Sequence, residues 1–340
     1  MIPKAHKLPS GQWRCRVRVQ GSDISITRST KKSAIAEAIA VKTRTVNLSS
    51  DRSSLTLREA MNDYIDQREN ILSPSSIAGY RVIARNRFKN LHNVKLRDID
   101  RTRWQAAVNI QAKTVAPKTL KCSAMFVQSV IAEYTGIRLS AAMPQVVPRD
   151  LPWLSPDQIP IFLKAIRGNK YEIPALLALE GLRYSEIVAL KWDDINLNAG
   201  EISVTGAAVI DENRQLVFKE TNKNSSSRRT VHFIIPQLSD AVESAEKKSE
   251  YIYPKYSNVL RTNINKLCRA AGLPEVGVHG LRRSFASLCY HLRMPEAITM
   301  IEGGWSDPNT MRKIYTKISE HDIRTNAERL NAYFDHEMTT

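Results

Sequence analysis

Gly181-Leu182-Arg183-Tyr184-Ser185-Glu186-Ile187, with Leu190 and Trp192 behind it, is the stretch on which the architecture of this chain turns. It puts Arg183 at a junction between two helices, with Ser185 as candidate cap of the second and Glu186 in its first turn. Three further pieces follow. Strand-like Gln215 to Glu220 and Arg228 to Ile234 flank a polar loop that contains Lys223, and together they read as a hairpin. Then come His279-Gly280-Leu281-Arg282-Arg283-Ser284-Phe285-Ala286 and Gly303-Gly304-Trp305-Ser306-Asp307-Pro308, the last trailed by Thr310 and Tyr315. Singly, each has an ordinary explanation: an ion-paired arginine, a satisfied histidine, a core tyrosine. The ordered set is what is specific.

Upstream, Ser140 to Leu154 is studded with Pro144, Pro148 and Pro152 and reads as a linker. A helix start follows, with Ser155 able to cap, Pro156 suited to the first helical position and Gln158 completing a capping box. The largest domain therefore begins near residue 150 and runs to 340. From 55 to about 140 the pattern is helical. Leu57, Ala60, Met61, Tyr64 and Ile65 recur at helical spacing, and Ser73 caps a second helix carrying Arg81, Arg85 and Arg87. A third helix is expected over 119–134, and polar Asn47 to Ser54 reads as a linker.

The first 50 residues differ in kind. In Trp13-Arg14-Cys15-Arg16-Val17-Arg18-Val19 apolar and basic residues alternate, as on a half-buried strand. Trp13, Cys15, Val17 and Val19 share the core face, and Arg14, Arg16 and Arg18 share the other. A turn at Gln20 to Asp23, a returning strand at Ile24 to Thr27 and a helix from Lys31 to Arg44 complete a small sheet-plus-helix module. It holds ten Lys and Arg against Asp23 and Glu37, so half of the chain's net charge of +16 lies here. A strand with a row of arginines can enter a DNA groove, or can be a solvated edge whose charges deter aggregation.

Across all 340 residues, 50 Lys and Arg oppose 34 Asp and Glu, a surplus for which nucleic acid is the usual partner. Hydrophobic residues make up 42%, enough for packed cores, and the length suits two or three domains. Cys15, Cys122, Cys268 and Cys289 form no C-x-x-C pair, which argues against a zinc site or a disulfide framework and fits a reducing cytoplasm. No apolar stretch follows Lys4 and Lys7, so no signal peptide is expected. The longest apolar run, Ile173 to Leu179, is too short to cross a bilayer, and no membrane association is expected.

Taken in order, the four C-terminal pieces resemble the tyrosine recombinase (phage integrase) family. Its signature is an arginine in a G-L-R-x-S-E-like segment, a hairpin lysine, H-x-x-R, a G-H or G-W pair, and a tyrosine about ten residues on. The resemblance assigns Arg183, Lys223, His279, Arg282, Trp305 and Tyr315 as catalytic positions, and Glu186 as an acidic residue that orients its neighbours. Lys223 lies five residues before Arg228, as in the family; Lys219 is the fallback. Trp305 stands where many members have histidine, and its indole cannot take up a proton, so it is a phosphate contact or packing residue. Tyr315 follows Trp305 by ten residues, a spacing some members share, whereas Tyr290 and Tyr333 fit no motif position.

The resemblance implies a multidomain α+β chain. Residues 1–50 would be an arm-type DNA-binding domain of β-sheet plus helix, 55–140 a helical SAM-like core-binding domain, and 150–340 a mostly α-helical catalytic domain with a small antiparallel sheet. Leu72-Ser73-Pro74-Ser75-Ser76 and Pro117-Lys118-Thr119 match elements of the family's core-binding domain, which makes Arg81, Arg85, Lys118 and Thr119, with Arg14, Arg16 and Arg18, candidate DNA contacts. The tail with Ile323, Ala327, Leu330, Ala332 and Tyr333 reads as amphipathic, packing on its own domain or on a neighbour.

The implied chemistry suits these residue types. Attack on a phosphodiester builds negative charge on non-bridging oxygens, which two fork-shaped guanidiniums, Arg183 and Arg282, stabilise. A tyrosine with a free pKa of about 10 needs surrounding cations to ionise, which suits Tyr315 as nucleophile. Lys223 would protonate the departing 5′ oxygen while His279 assists proton transfer. No cofactor is implied. The implied partners are double-stranded DNA attachment sites, three further copies of the chain in a tetramer passing through a Holliday junction, a host DNA-bending protein and an excision factor. The expected location is the cytoplasm, at the nucleoid, of a bacterial or phage-infected cell. Rival readings remain: a Xer-like resolvase or invertase, a type IB topoisomerase relative, and a catalytically silent DNA-binding regulator. A metal-dependent nuclease is disfavoured, since no carboxylate cluster with metal-ligand spacing is apparent.

Overall fold

A computed structural model of the chain describes residues 4–19, 22–147, 151–219, 228–255 and 258–321, together with 327 and 331; at 19, 22, 42–51 and 315–321 only the backbone is described. The chain divides into two compact units, residues 1–148 and 149–340.

The first unit opens with a three-stranded antiparallel sheet in the order β1 (Ala5–Lys7), β2 (Trp13–Val19), β3 (Ser22–Arg28). The alternation of β2 works as expected. Cys15 and Val17 are buried with Ile26 of β3 and Ala34 and Ala38 of the following helix, while Arg16 and Arg18 are exposed opposite Ser25 and Asp23. Strand β1 had no sequence signal; at three residues it is too short to show an alternation.

Helix α1 runs from Lys31 to Arg52 without a break, so of the linker expected at 47–54 only 53–54, a turn, lie outside the helix. Neither glycine nor proline occurs between 31 and 54, and Asn and Ser alone cost a helix interior only tenths of a kcal/mol each. Helices α2 (Leu57–Asp66), α3 (Pro74–Asn86), α4 (Arg101–Ala112) and α5 (Pro117–Thr135) build a second core around Leu57, Met61, Phe88, Trp104, Leu120 and Ile131. Ser73 caps α3 as expected, accepting the Ser76 N–H at 3.2 Å. Tyr134 ties α5 to α2 through its hydroxyl, which donates to Asp63 at 2.5 Å.

The second unit is mostly helical: α6 (Gln158–Ile166), α7 (Glu172–Leu179), α8 (Tyr184–Ala189), α9 (Pro236–Glu243), α10 (Asn258–Ala270), α11 (Gly277–His291), α12 (Glu296–Gly303) and α13 (Pro308–His321). Its centre is α7, whose residues 174–179 are all buried, flanked by Leu281 of α11 and Leu260 of α10. Helix α6 begins at Gln158 rather than at Pro156; Gln158 Oε1 accepts the Ser155 N–H at 3.0 Å, half of the expected box, while 156–157 form a turn.

The strands correct the hairpin expectation. Strand β7 (Leu216–Lys219) pairs with β6 (Ala207–Ile210), and β8 (Arg229–His232) pairs with β5 (Glu201–Val204), itself beside β4 (Ile195–Asn196). The local turn that decides this lies before β7, not after it. Asp211 Oδ1 accepts the N–H groups of Asn213 and Gln215, and Arg214 takes a left-handed φ of 61°, closing β6 onto β7.

Candidate active site

Helix α7 ends at Leu179, and Gly181 then reverses the chain with φ +91°. A Cβ there would lie 3.0 Å from the Phe285 ring, so the turn has room for glycine alone. The reversal delivers Arg183 in extended conformation at the head of α8. The capping group is Glu186, not Ser185: its Oε2 accepts the Arg183 N–H at 2.8 Å, which starts the helix at Tyr184 and leaves Ser185 inside the first turn.

Glu186 also gathers two guanidiniums. Its Oε1 lies 2.6 Å from Arg183 Nη1, and Arg229 Nη2 reaches Oε2 at 3.0 Å. The Glu186 and Arg229 side chains are 2% and 4% exposed, against 34% for Arg183. Burial alone would raise the Glu186 pKa, but Arg229 and then Arg183 outweigh it and hold the carboxyl below its ordinary value. Arg229 further donates from Nε to the Glu302 carbonyl at 2.7 Å, and Arg183 donates to the Gly304 carbonyl. Gly304 has φ +65°, and a Cβ on it would meet Arg229 Nη1 at 2.7 Å.

Arg282 is 3% exposed, donates to the Gly181 carbonyl, and lies 4.1 Å from the centroid of the Trp305 ring. Burial, helped by the charge of Arg183, pushes it down to about 9, which leaves it a cation at neutral pH. Trp305 is clasped from three sides: Arg282 on its face, the Phe285 ring stacked at 6.1 Å, and Gly303, where a Cβ would sit 1.8 Å from the indole. His279 lies one turn before Arg282 on α11 and is partly open to solvent. The protein packed around it, then the charges of Arg282, Arg283 and Arg183, hold its pKa below the ordinary imidazole value.

Arg183, Glu186, His279, Arg282 and Trp305 are thus brought together. Tyr315 lies on α13 of the same unit, its side chain outside the described residues, as is all of Lys223. Lys219 is half-buried on β7, opposite Ala207. Arg229 was missed, although it carried a signal: on a strand it shares a face with buried Val231, two residues on. In the first unit Arg14 is half-buried, Arg85, Lys118 and Thr119 are exposed, and Arg81 is engaged by Asp66 at 2.5 Å. Ala327 and Asn331 of the tail are helical and exposed; Ile323, Leu330, Ala332 and Tyr333 lie outside the described residues.

Chemically, one carboxylate pairs two of three neighbouring guanidiniums, and the surplus positive charge suits an oxyanion with several acceptor oxygens. Among the described residues no group of three or more His, Cys, Asp or Glu side chains is placed to hold a metal, and no helix is long and apolar enough to cross a membrane.

Residues 152–322 match the model of the phage integrase family. A tyrosine recombinase XerC-like protein of Caldanaerobacter subterraneus subsp. tengcongensis is 25% identical over 211 residues, 53% of this chain and 54% of that protein. The chain thus spans about half the length of this curated relative. In fold it is similar to the Tn1549 transposon integrase solved with transposon right end DNA, with a TM-score of 0.63 at 16% identity over 82% of this chain and 100% of that one. It is also similar to lambda integrase, solved as a tetramer bound to a Holliday junction, with a TM-score of 0.56 at 17% identity over 91% and 97%.

Proposed function

The chain belongs to the phage integrase family, and from that membership we propose that it is a site-specific tyrosine recombinase that cuts and rejoins DNA through Tyr315. The observation that carries the proposal is the convergence of Arg183, Arg282 and His279, with a carboxylate there, Glu186, paired to Arg183 and Arg229 and leaving positive charge in excess. The Tyr315 phenolate attacks the scissile phosphorus, the bond from phosphorus to the 5′ oxygen breaks, and Lys223 supplies the proton that oxygen needs. Arg183 and Arg282 take the charge that grows on the non-bridging oxygens. His279, its pKa held low, is an uncharged imidazole near neutral pH and can assist proton transfer. The 3′-phosphotyrosine conserves the energy of the cut bond, and attack by a 5′ hydroxyl reverses it. Trp305 holds Arg282 in place by its ring face.

Residues 1–50, 55–140 and 150–340 serve in this reading as arm-binding, core-binding and catalytic domains. Arg14, Arg16 and Arg18 face the arm site, and Arg81, Arg85, Lys118 and Thr119 the core site. Four copies exchange strands on two attachment sites through a Holliday junction, integrating a mobile element, with a host bending protein and an excision factor setting direction. The DNA bound to the similar integrases, a transposon right end and a Holliday junction, supports this assignment.

The test is incubation of the protein with DNA flanking its gene in EDTA, followed by denaturation. A covalent protein–DNA adduct in wild type and none in Tyr315→Phe is expected; an adduct in the variant means another nucleophile, and none in either, even on nicked DNA, means a silent DNA-binding protein. The XerC-like relative keeps a resolvase reading alongside. Replacing Arg14, Arg16 and Arg18 by alanine separates the two: loss of integration with core cleavage retained marks an integrase, and no effect marks a resolvase.

A further inference from the structure

Glu180 follows the last turn of α7 and has no exposed surface. Its carboxyl accepts the backbone N–H of Ile234 at 3.1 Å and of Ile235 at 2.9 Å. Those N–H groups lie just past β8, whose last neighbouring contact with the β4–β5 side is Phe233 N–H to the Gly200 carbonyl at 2.8 Å. The side chain therefore substitutes for a strand partner where the sheet runs out. No cation pairs with it among the described residues; the ionisable groups facing it are Glu302 of α12 and Cys289 of α11, while β8 offers His232, which Glu302 already holds at 2.8 Å.

What the two ends of this bridge carry gives it meaning. One residue on is Gly181, whose carbonyl receives Arg282, and three residues on is Arg183. On the other side β8 carries Arg229, which reaches Glu186 and the Glu302 carbonyl. We propose that Glu180 is a positioning residue of strand cleavage, setting the spacing between the turn that presents Arg183 and receives Arg282 and the strand that presents Arg229. Burial first, and Glu302 last, push its pKa up to about 8 against the pull of the two N–H groups. On ionising, it becomes an unpaired buried anion facing Glu302, whose backbone and neighbouring Gly304 hold Arg229 and Arg183. Repulsion there loosens the seat of both guanidiniums.

The inference rests on the recombinase reading, and the experiment separates the two. Adduct formation on a nicked core site is followed from pH 6.5 to 9 for wild type, Glu180→Gln and, as control, Tyr315→Phe, with DNA binding and unfolding midpoints measured alongside. Glutamine keeps an uncharged acceptor at every pH, and all other titrations cancel in the ratio of the two rates. The expected ratio of variant to wild type is near one at pH 6.5–7 and climbs to about tenfold by pH 9, with DNA binding unchanged. A ratio flat at one, a ratio that falls at high pH, or a folded, DNA-binding Glu180→Gln that forms no adduct overturns the proposal. A wild type that forms no adduct, or a Tyr315→Phe that does, sinks the recombinase reading instead.

Discussion

Removing the Glu186 carboxylate tests whether the guanidinium cluster is held together as described. In Glu186→Gln the volume stays, but the charge that pairs Arg229 at 3.0 Å and Arg183 at 2.6 Å is gone. The two bridges are unequal. Arg183 is a third exposed and screened by solvent, so its loss counts for under about 1 kcal/mol. Arg229 is buried, so the loss of its carboxylate partner dominates at roughly 3–5 kcal/mol. Against a typical stability of about 5–15 kcal/mol this is a large fraction, so the second unit's transition in urea, followed by Trp192 and Trp305 fluorescence, shifts far down. Replacing Arg229 by Met in the same chain removes the stranded charge and recovers most of the loss.

The same carboxyl gives a pH signature of known sign. Its folded pKa lies below its unfolded value, so its ionisation favours the folded state at neutral pH. That contribution is complete above the unfolded value of about 4.3 and disappears as pH falls through the lower folded one. Wild type therefore loses an increment of stability under acid that Glu186→Gln does not. A Glu186→Gln cost under about 1 kcal/mol, or a Glu186→Gln/Arg229→Met double variant whose loss is the sum of the singles, would refute the network.

Two further outcomes follow from local contacts in each unit. Gly303→Ala puts a methyl into the space of the Trp305 ring, so the indole must leave Arg282; the expected cost is about 1–3 kcal/mol in urea, with adduct formation lost and DNA binding kept, and Trp305→Ala added to it restores stability but not the adduct. Tyr134→Phe removes the hydroxyl that Asp63 accepts at 2.5 Å and should cost the first unit about 1–2 kcal/mol by denaturant midpoint, leaving the second unit's transition where it was.

What could be read in the chain beforehand follows the range of the forces involved. The alternation at 13–19 speaks for itself because one face of a strand must bury, and Cys15 and Val17 do. Ser73 before Pro74 is legible because a cap is a contact across three residues. The end of α1 was not, because a polar run can be either linker or solvated helix, and only the following turn decides. Nor were the partners of β7 and β8, since a strand's neighbour is chosen by the whole sheet; β8 finds β5, whose residues lie about thirty positions earlier. At the candidate site, Arg183, His279, Arg282 and Trp305 came from the order of motifs, but what seats them did not. Arg229, Glu302 and Glu180 act through backbone groups 73, 70 and 55 residues away, which no local pattern records.

That seating has a physical logic of its own. Arg282 donates to the Gly181 carbonyl just past α7, while Arg229 and Arg183 donate to the Glu302 and Gly304 carbonyls that close α12. Helix C-terminal ends carry partial negative charge, and the face of an indole does the same for Arg282 at 4.1 Å. Such groups stabilise a guanidinium without neutralising it. A carboxylate in each of these places would have held the arginines as firmly and cancelled their charge. Using one carboxylate, Glu186, for geometry and dipoles for the rest leaves a fixed, net-positive pocket, and a fixed positive pocket is what a phosphoryl group gaining negative charge requires. The glycines are part of the same solution, since a Cβ at 304 would meet Arg229 and one at 303 would displace the indole.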